Sequence, residues 1–457
     1  VLAPRYFAPR GEHPAPHRQQ FLLDSLRELA AGLAELGSRL CIVPGPASQV
    51  IPKLIATWKV DRVLAMRSCE PASRARDAQL EAALRVPFLT YEHETLTIPG
   101  SVRTASGGPF QVYTPFSRAA LGQLGDVTAL AAPKKLPPLP SDLALPKDDV
   151  PELETLGLAR NPQLQRGGES LALERLQQFL DGPAAQYATL RDRMDRPGTS
   201  RLSADLRFGT LSVRRVWQGV TQQLDSHHSL ARYRAELLWR DFAHHTLFER
   251  PELLREPFRR EFRGFPWLDD EAGFMAWWRG ETGYPVVDAS ARQLLREGFV
   301  HNRARMISAS FLTKHLMVNY QLGEAHYLRY LTDGDLAQNN LGWQWAAGSG
   351  CDAQPYFRIF NPVTQGQRFD PDGAYVRRYL PELSRLPSRY VHAPWTAPAS
   401  VLRDAGVVLG QSYPEPIVDH ASARQRYLLL ASEHLKGGAP SPARGAAKDS
   451  SARRVTG

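Results

Sequence analysis

Cysteine is scarce in this chain, and long apolar runs are absent. The 457 residues include three cysteines, Cys41, Cys69 and Cys351, which lie far apart and match no zinc-binding spacing. We therefore interpret them as reduced thiols, and predict no metal site and a cytoplasmic location. No run of eighteen apolar residues occurs and no signal peptide is recognisable, which predicts a protein that does not enter a membrane.

Acidic residues are outnumbered by basic ones, among which arginine dominates. The formal net charge is +9 and the pI is about 9.5. A basic surface suits a polyanionic partner, although the same charge also serves solubility alone. Hydrophobic residues make up 43% of the chain and charged residues 23%, which is typical of globular proteins, and the length is sufficient for two domains.

Helical and strand-like patterns alternate over residues 1–125. Such alternation is typical of an α/β domain, in which helices cover a parallel, Rossmann-like sheet. Apolar stripes and runs predict helices near 21–36, 50–58 and 74–84, and strands near 40–43, 62–66 and 87–90.

Strand-like alternation is absent from the remainder of the chain, where helical patterns take over. Residues 126–165 include Pro133-Lys-Lys-Leu-Pro-Pro-Leu-Pro140 and predict an extended linker. Residues 166–436 are predicted to form an all-α domain. Residues 437–457 are rich in Gly, Ala, Pro and Ser, which predicts a disordered tail.

One polar stretch stands out within the helical part, Asp333-Gly-Asp-Leu-Ala-Gln-Asn-Asn-Leu-Gly-Trp-Gln-Trp345. Trp343 and Trp345 are too close in sequence to share a helix face, whereas Asn339 and Trp343 are correctly spaced to share one. Buried asparagines need hydrogen-bond partners. The stretch is therefore either a satisfied polar turn in a large core or a functional site.

This stretch belongs to a series of motifs that resembles the photolyase/cryptochrome family, and within it the class I cyclobutane pyrimidine dimer photolyases. The resemblance extends to about Leu435 and implies a monomeric enzyme that repairs UV-damaged DNA by electron transfer from excited reduced FAD. The other motifs are Gly198-Thr-Ser-Arg-Leu-Ser203, Glu236-Leu-Leu-Trp-Arg240, Thr282-Gly-Tyr-Pro-Val-Val-Asp-Ala289, His301-Asn-Arg-Ala-Arg-Met306 and Pro355-Tyr-Phe-Arg-Ile-Phe-Asn-Pro362.

The first domain departs from the family's pattern. The family opens with a strand that carries an Arg-Asp-Leu-Arg type motif, and this sequence begins after it, so we expect the natural protein to start earlier. Members can also hold an antenna chromophore, a deazaflavin or a folate, in this domain. Ala72 and Ser73 stand where folate-using relatives carry Asn and Glu, which speaks against folate and leaves a deazaflavin or no antenna open.

The resemblance implies an FAD site in the helical domain. From the residues alone, Thr199–Ser203 is equally an anion site or a helix N-cap, and the family places the flavin pyrophosphate there. Arg305 and Asp333 are expected to pair over the flavin ring. Asn339 is expected to face flavin N5, because an amide both donates and accepts. The other implied FAD-binding residues are Tyr187, Thr199, Ser200, Arg201, Leu202, Ser203, Tyr233 (Trp in many relatives), Arg240, Gly334 and Asp335.

The resemblance also implies a pocket for a flipped-out dimer. Asn302 and Met306 are typical of dimer repair, since photolyases for the 6-4 photoproduct carry His at both positions. Each residue taken alone also fits an ordinary place in a core or on a surface. The implied lesion- and DNA-binding residues are Trp239 and Trp345 as flat walls, Glu236 as a hydrogen-bonding acid, Asn302, Met306, and Arg191, Arg303 and Arg358 as phosphate contacts.

Family members commonly photoreduce their flavin through three tryptophans. This chain matches the inner one at Trp343 and the outer one at Trp267, but the middle position is Tyr320. Oxidation of a neutral tyrosine is coupled to loss of its phenolic proton, whose ordinary pKa is near 10. We therefore predict a less efficient relay, with Trp277 and Trp278 as an alternative route.

Two other functions fit parts of the sequence. A cryptochrome-like blue-light photoreceptor uses the same flavin, but such proteins often have long C-terminal extensions, and the tail here is short. A nucleic-acid binder without catalysis is disfavoured by the presence of Glu236, Met306 and Asn339. The histidine pairs 227–228 and 244–245 are interpreted as surface or core residues, because no acid or cysteine set completes a metal site.

Overall fold

The computed structural model describes residues 1–3, 15–140, 143, 145 and 150–437. The predicted tail, apart from Gly437, lies outside the described residues. The predicted fold class is confirmed, because a small α/β part precedes a larger helical part. None of the described helices combines the length and the apolar character that crossing a membrane requires.

Two short parallel strands form the sheet of the first part. β1 (Val63–Met66) and β2 (Phe88–Tyr91) pair in register, with Val63 opposite Phe88. Both strands and the first three helices lie close to the positions that apolar periodicity predicts. The helices of this part are α1 (Pro16–Glu35), α2 (Ala47–Trp58), α3 (Pro71–Ala83) and α4 (Tyr113–Leu124).

The prediction of a strand at residues 40–43 is wrong. These residues are irregular, and among the described residues their surroundings offer one isolated parallel bridge, between Leu2 and Pro44. The Leu2 N–H donates to the Val43 carbonyl at 3.0 Å, and the Gly45 N–H donates to the Leu2 carbonyl at 3.1 Å. An apolar run becomes a strand only where a neighbouring backbone supplies a continuous ladder.

The second part consists of helices within the described residues, apart from an isolated bridge between Leu409 and Tyr413. A π-helix, Phe311–His315, directly follows the α-helix Asn302–Ser310. Short 3₁₀-helices span Glu154–Leu156, Pro183–Gln186, Pro251–Leu254, Arg260–Phe262, Pro381–Leu383 and Pro394–Thr396. The α-helices are α5 (Glu169–Asp181), α6 (Tyr187–Leu190), α7 (Ser203–Phe208), α8 (Val213–Gln222), α9 (Leu230–Glu249), α10 (Glu271–Arg279), α11 (Pro285–Glu297), α12 (Asn302–Ser310), α13 (Tyr320–Tyr330), α14 (Leu336–Ala347), α15 (Pro362–Phe369), α16 (Ala374–Tyr379), α17 (Ala399–Ala405) and α18 (His420–Gly437).

Two apolar cores hold the helices in place. The larger core contains the buried rings of Trp277, Phe311 and Trp343 and surrounds α11 and the π-helix. The second core contains Phe116 of α4 and Phe242 of α9, and so joins the α/β part to the helical part. Helix α9 packs against both α4 and α14. The side chains of α9 are therefore placed between the two parts of the molecule.

Candidate functional site

Helices α9 and α14 carry several of the predicted site residues. Glu236, Trp239, Arg240 and His244 lie along one side of α9, because three- and four-residue spacings stack side chains on one helix face. Helix α14 begins after Asp335, whose carboxylate accepts the N–H of the third helical residue at 2.8 Å. This cap fixes where α14 starts, and therefore fixes the position of Asn339 along the helix axis.

Asn339 lies beside Glu324, a residue that the sequence motifs did not indicate. Its Nδ2 donates to the backbone carbonyl of Glu324 on α13 at 2.9 Å, while the buried Glu324 carboxylate accepts from Asn340 at 3.1 and 3.3 Å. Burial raises the pKa of Glu324 to about 7, and the hydrogen bond from Asn340 opposes this only in part. A carboxyl group that titrates near neutral pH therefore lies beside Asn339.

The expected ion pair between Arg305 and Asp333 is present. Arg305 Nη2 donates to Asp333 Oδ2 at 2.8 Å, and Arg305 Nε donates to the Val300 carbonyl at 2.8 Å. Two hydrogen bonds from different nitrogens of one guanidinium fix the orientation of its plane. The next residue, Gly334, lies so close to the first part of the chain that an added Cβ would be 2.1 Å from Arg18 Nη1. A side chain at position 334 would therefore displace the Arg18 guanidinium.

The Thr199–Ser203 loop does not provide a side-chain cap for the helix that follows it. Arg201 has a φ of +58°, a left-handed conformation that is uncommon for a residue with a Cβ. Helix α7 is preceded by Leu202, which gives no side-chain cap, so the N-cap alternative is not supported. The Ser200 and Tyr233 hydroxyls lie 2.9 Å apart, and Tyr187 packs edge-on to Tyr233 at 5.1 Å.

A narrow cleft joins this loop to the Arg305–Asp333 pair. Its lining includes Arg201, Ser203, Thr332 and Asp333. Buried polar atoms are rarely left unpaired, yet three around this region have no hydrogen-bond partner among the described residues. These atoms are Thr332 Oγ1, Asp333 Oδ1 and Arg240 Nη1. These donors and acceptors could be satisfied by a polar ligand, and in that respect they fit FAD.

Asp335 lies in a buried charge network. Its Oδ2 is 3.0 Å from His244 Nε2 and 4.0 Å from Arg207 Nη1. Burial alone would raise the pKa of Asp335, but the charges of His244 and Arg207 lower it far below its usual range. Burial alone would lower the pKa of His244, but Asp335 and Cys69 raise it well above its usual range. Asp335 is therefore held as a carboxylate by two cations.

The same network corrects one premise of the sequence-based interpretation of His244, namely that no acid or cysteine accompanies it. Cys69 and Glu94 join it, and the three side chains bring potential ligand atoms within 4.8 Å of one another. The sequence did not indicate that a cysteine and an acid accompany this histidine, since Glu94 is 150 positions away from His244 along the chain. Arg207 donates to Glu94 at 3.0 Å and to Glu70 at 2.6 Å. His244 is thus a core residue with charged partners.

The predicted lesion-binding acid is already paired. Glu236 forms an ion pair with Arg191, and Arg232 Nε lies 3.6 Å from the same carboxylate oxygen. Arg191 is largely covered, with 11% of its side chain exposed. The guanidinium predicted to hold phosphate is therefore engaged in orienting Glu236.

The remaining predicted DNA contacts differ in exposure. Arg303 donates to Asp192 at 2.7 Å and is half-buried, whereas Arg358 and Asn302 are exposed. The Asn302 amide lies 3.8 Å from Met306 Sδ, so these two residues share one turn of α12. Arg358 is therefore the better placed of the two arginines to meet a DNA backbone.

The predicted walls of the pocket come from two helices. Trp239 on α9 and Trp345 on α14 are both half-buried. One face of Trp239 is stacked on Tyr113, with ring centres 3.8 Å apart and planes 7° apart. Sequence analysis missed Tyr113, which belongs to α4.

The ring contacts of the described residues do not join Trp343, Tyr320 and Trp267, the residues predicted to form an electron relay, in one continuous series. Tyr320 contacts Trp267, with ring centres 6.4 Å apart, but the ring neighbours of Trp343 are Trp277 at 6.0 Å and Tyr327 at 5.1 Å. The Tyr320 hydroxyl has no hydrogen-bond partner among the described residues. Burial, and then the charge of Glu324, raises the pKa of Tyr320 above its ordinary value. Its proton therefore has no ready acceptor.

Both parts of the chain are similar to known proteins. Residues 1–138 match the family model described as DNA photolyase, and residues 233–433 match the FAD binding domain of DNA photolyase. The deoxyribodipyrimidine photo-lyase of Agrobacterium fabrum is 42% identical over 445 residues, covering 93% of this chain and 91% of that protein.

Two solved structures have the same fold. A bacterial class III photolyase from Agrobacterium tumefaciens is 39% identical, with a TM-score of 0.83 over 93% of this chain and 90% of that one. A cryptochrome of Synechocystis sp. PCC6803 is 30% identical, with a TM-score of 0.84 over 94% of this chain and 92% of that one.

Proposed function

This chain belongs to the DNA photolyase family, and from that premise we propose how its residues carry out light-driven repair of cyclobutane pyrimidine dimers in DNA. The observation that carries the proposal is a set of buried polar atoms without a partner among the described residues, beside the Thr199–Ser203 loop and Asp333. It supports an FAD site in the helical part, at the place where the residues of the family's motifs converge.

FAD would be held by two groups of residues. The Thr199–Ser203 loop would bind the pyrophosphate through backbone N–H groups and hydroxyls, supported by the left-handed conformation of Arg201. Arg240 Nη1, which has no hydrogen-bond partner within the described part of the chain, would donate to the same end of the cofactor. Arg305 and Asp333 would lie against the flavin ring, where their fixed geometry provides positive potential and an acceptor.

The protein's contribution to the chemistry is position and electrostatics. When bound, reduced and excited by light, FAD supplies the electron that splits the cyclobutane ring. Asn339 presents to the flavin an amide, which tolerates changes in protonation because it both donates and accepts. The hydrogen bond from Asn339 Nδ2 to the Glu324 carbonyl fixes the orientation of that amide. The buried Trp343 and Ala347 keep water from this side of α14.

The flipped-out dimer would bind between Trp239 and Trp345. Glu236, held by Arg191, would accept a base N–H, and its carboxylate would be oriented before the lesion arrives. Asn302 and Met306 would line the same pocket. Arg303 and Arg358 would contact phosphates and make binding salt-dependent. These assignments rest on motif position and on the contacts above.

The domain bounds, the oligomeric state and the cellular location are also part of the proposal. We propose an α/β domain at residues 1–125, a linker at 126–165 and a catalytic helical domain at 166–436. We further propose that the protein acts as a monomer in the cytoplasm. Light scattering of the purified protein at several concentrations tests the monomer, and a mass that rises toward twice 51.0 kDa would contradict it.

The proposed function is tested on a DNA oligonucleotide with one thymine dimer. We expect the purified protein to show flavin absorbance, and to split the dimer back into two thymines under blue light with a reductant but not in the dark. Arg240→Leu should lower the FAD content, whereas Arg389→Leu, at an exposed position, should not. Flavin that responds to light without any repair would favour a cryptochrome-like photoreceptor instead.

A further inference from the structure

Tyr113 makes the closest ring–ring contact among the residues that the structure describes. Its ring centre lies 3.8 Å from that of Trp239, with an interplanar angle of 7°. Both side chains are half-buried. Tyr113 is the first residue of α4, in the α/β part, and Trp239 is on α9, in the helical part. The stack therefore joins the two parts of the chain at the wall of the proposed lesion pocket.

Two hydrogen bonds fix the position of the Tyr113 ring. Its hydroxyl donates to the backbone carbonyl of Ala235 at 2.7 Å, one helical turn before Trp239 on α9. Its backbone N–H donates to Asp352 Oδ2 at 3.1 Å. Asp352 follows α14, the helix that carries Trp345, and has a left-handed φ of +47°. Tyr113 is thus anchored to the helices that supply both walls of the pocket.

The stack leaves one face of the Trp239 indole for a ligand. Tyr113 covers the other face, and Phe242 packs edge-on against Trp239, with ring centres 5.7 Å apart. An unsupported, half-exposed indole would sample several rotamers and would lose that freedom on binding. A stacked indole has already lost this rotamer freedom, so binding a base requires no further loss of side-chain entropy at Trp239.

We propose that Tyr113 is a positioning residue for lesion recognition, which holds Trp239 in the plane required to stack a flipped-out pyrimidine. The proposal rests on the proposed function, in which Trp239 is a wall of the dimer pocket. Tyr113 does not touch the lesion itself. It acts through Trp239, so its removal should impair discrimination between damaged and undamaged DNA more than binding to DNA in general.

The experiment compares Tyr113→Ala and Tyr113→Phe with the native protein, all loaded with FAD. An aromatic pair of this kind predicts a dissociation constant for dimer-containing oligonucleotide about three- to tenfold higher in Tyr113→Ala. Tyr113→Phe keeps the stack and should stay near the native value. Binding to undamaged oligonucleotide should be the same in all three. Tyr91→Ala, at an exposed position on β2, serves as the matched control and should bind the dimer as the native protein does.

A double-mutant cycle separates positioning from general destabilisation. If Tyr113 acts through Trp239, then Tyr113→Ala should add no further loss of dimer affinity to Trp239→Ala. Additive losses, an unchanged affinity in Tyr113→Ala, or equal losses in Tyr113→Phe and Tyr113→Ala would each overturn the proposal. Failure of the native protein to prefer or repair the dimer would instead overturn the proposed function, so the two failures are distinguishable.

Discussion

Glu324 provides a test of how far the buried site controls the molecule's stability. Burial raises its pKa from 4.5 to about 7, which means that the folded protein binds a proton over this pH range when the unfolded chain does not. Its stabilising contribution is therefore complete below pH 4.5 and is lost as the pH rises through 7. A difference of this size corresponds to about 3 kcal/mol.

The perturbation is Glu324→Gln, which keeps the shape and an oxygen acceptor for Asn340 but cannot ionise. Between pH 5 and pH 8 the native protein should lose about 2–3 kcal/mol more than the variant. For a chain of this size the difference equals a relative fall in melting temperature of roughly 3 °C. The assay is thermal unfolding across this pH range, followed by tyrosine and tryptophan fluorescence and by release of FAD.

Parallel pH profiles for the native protein and Glu324→Gln would refute this reasoning. They would mean that water reaches Glu324 and that the carboxyl group keeps its ordinary pKa. Glu252→Gln is a suitable control, because burial is slight there and the neighbouring Arg250 contributes to a lowered pKa. That variant should not reproduce the loss between pH 5 and pH 8.

The other predictions concern electrons and DNA. Tyr320→Phe should leave photoreduction of bound FAD under blue light with thiol nearly unchanged, and Tyr320→Trp should raise it, whereas Trp277→Phe should lower it, because Trp277 and not Tyr320 contacts Trp343. Slow photoreduction in Tyr320→Phe alone would show that Tyr320 carries the hole. Arg303→Ala and Arg358→Ala should each weaken dimer binding and reduce the slope of log affinity against log salt by about one. An unchanged slope would remove that arginine from the interface. Glu236→Ala should retain FAD but lower the yield of dimer splitting at saturating DNA, and an equal yield would limit Glu236 to a structural role.

Sequence periodicity predicted those helices and strands whose apolar spacing arises within the element itself. The stripe in α1 and the runs in β1 and β2 were predicted correctly, because burial on one face imposes a regular spacing. The run at residues 40–43 is also apolar, but it has no continuous ladder of hydrogen bonds to a neighbouring strand. Strand pairing depends on backbone elsewhere in the chain. A short apolar run alone therefore does not distinguish a strand from irregular chain.

The candidate site shows the same division. The motifs indicated Arg305, Asp333 and Asn339, which lie within one region of the sequence and one region of the fold. Tyr113 could not be connected with Trp239, because the contact depends on how α4 packs on α9. Glu324 could not be recognised either, since a glutamate in a helix has a raised pKa only when its surroundings exclude water.

The charge network around His244 explains why the α/β part matters to a site built from helices. Glu70 and Glu94 follow β1 and β2, and the carboxyl ends of parallel strands meet at one edge of a sheet. There the two acids hold Arg207, and Glu94 also faces His244 at 3.7 Å.

Arg207 and His244 in turn hold Asp335, the residue that caps α14. Glu94, His244 and Asp335 are buried, so removing a charge that one of them pairs with would leave it unpaired at a cost of several kcal/mol. The start of α14, and with it Asn339, is therefore positioned from the edge of the sheet. The small sheet thus has a direct physical role in the catalytic half, independent of any antenna chromophore.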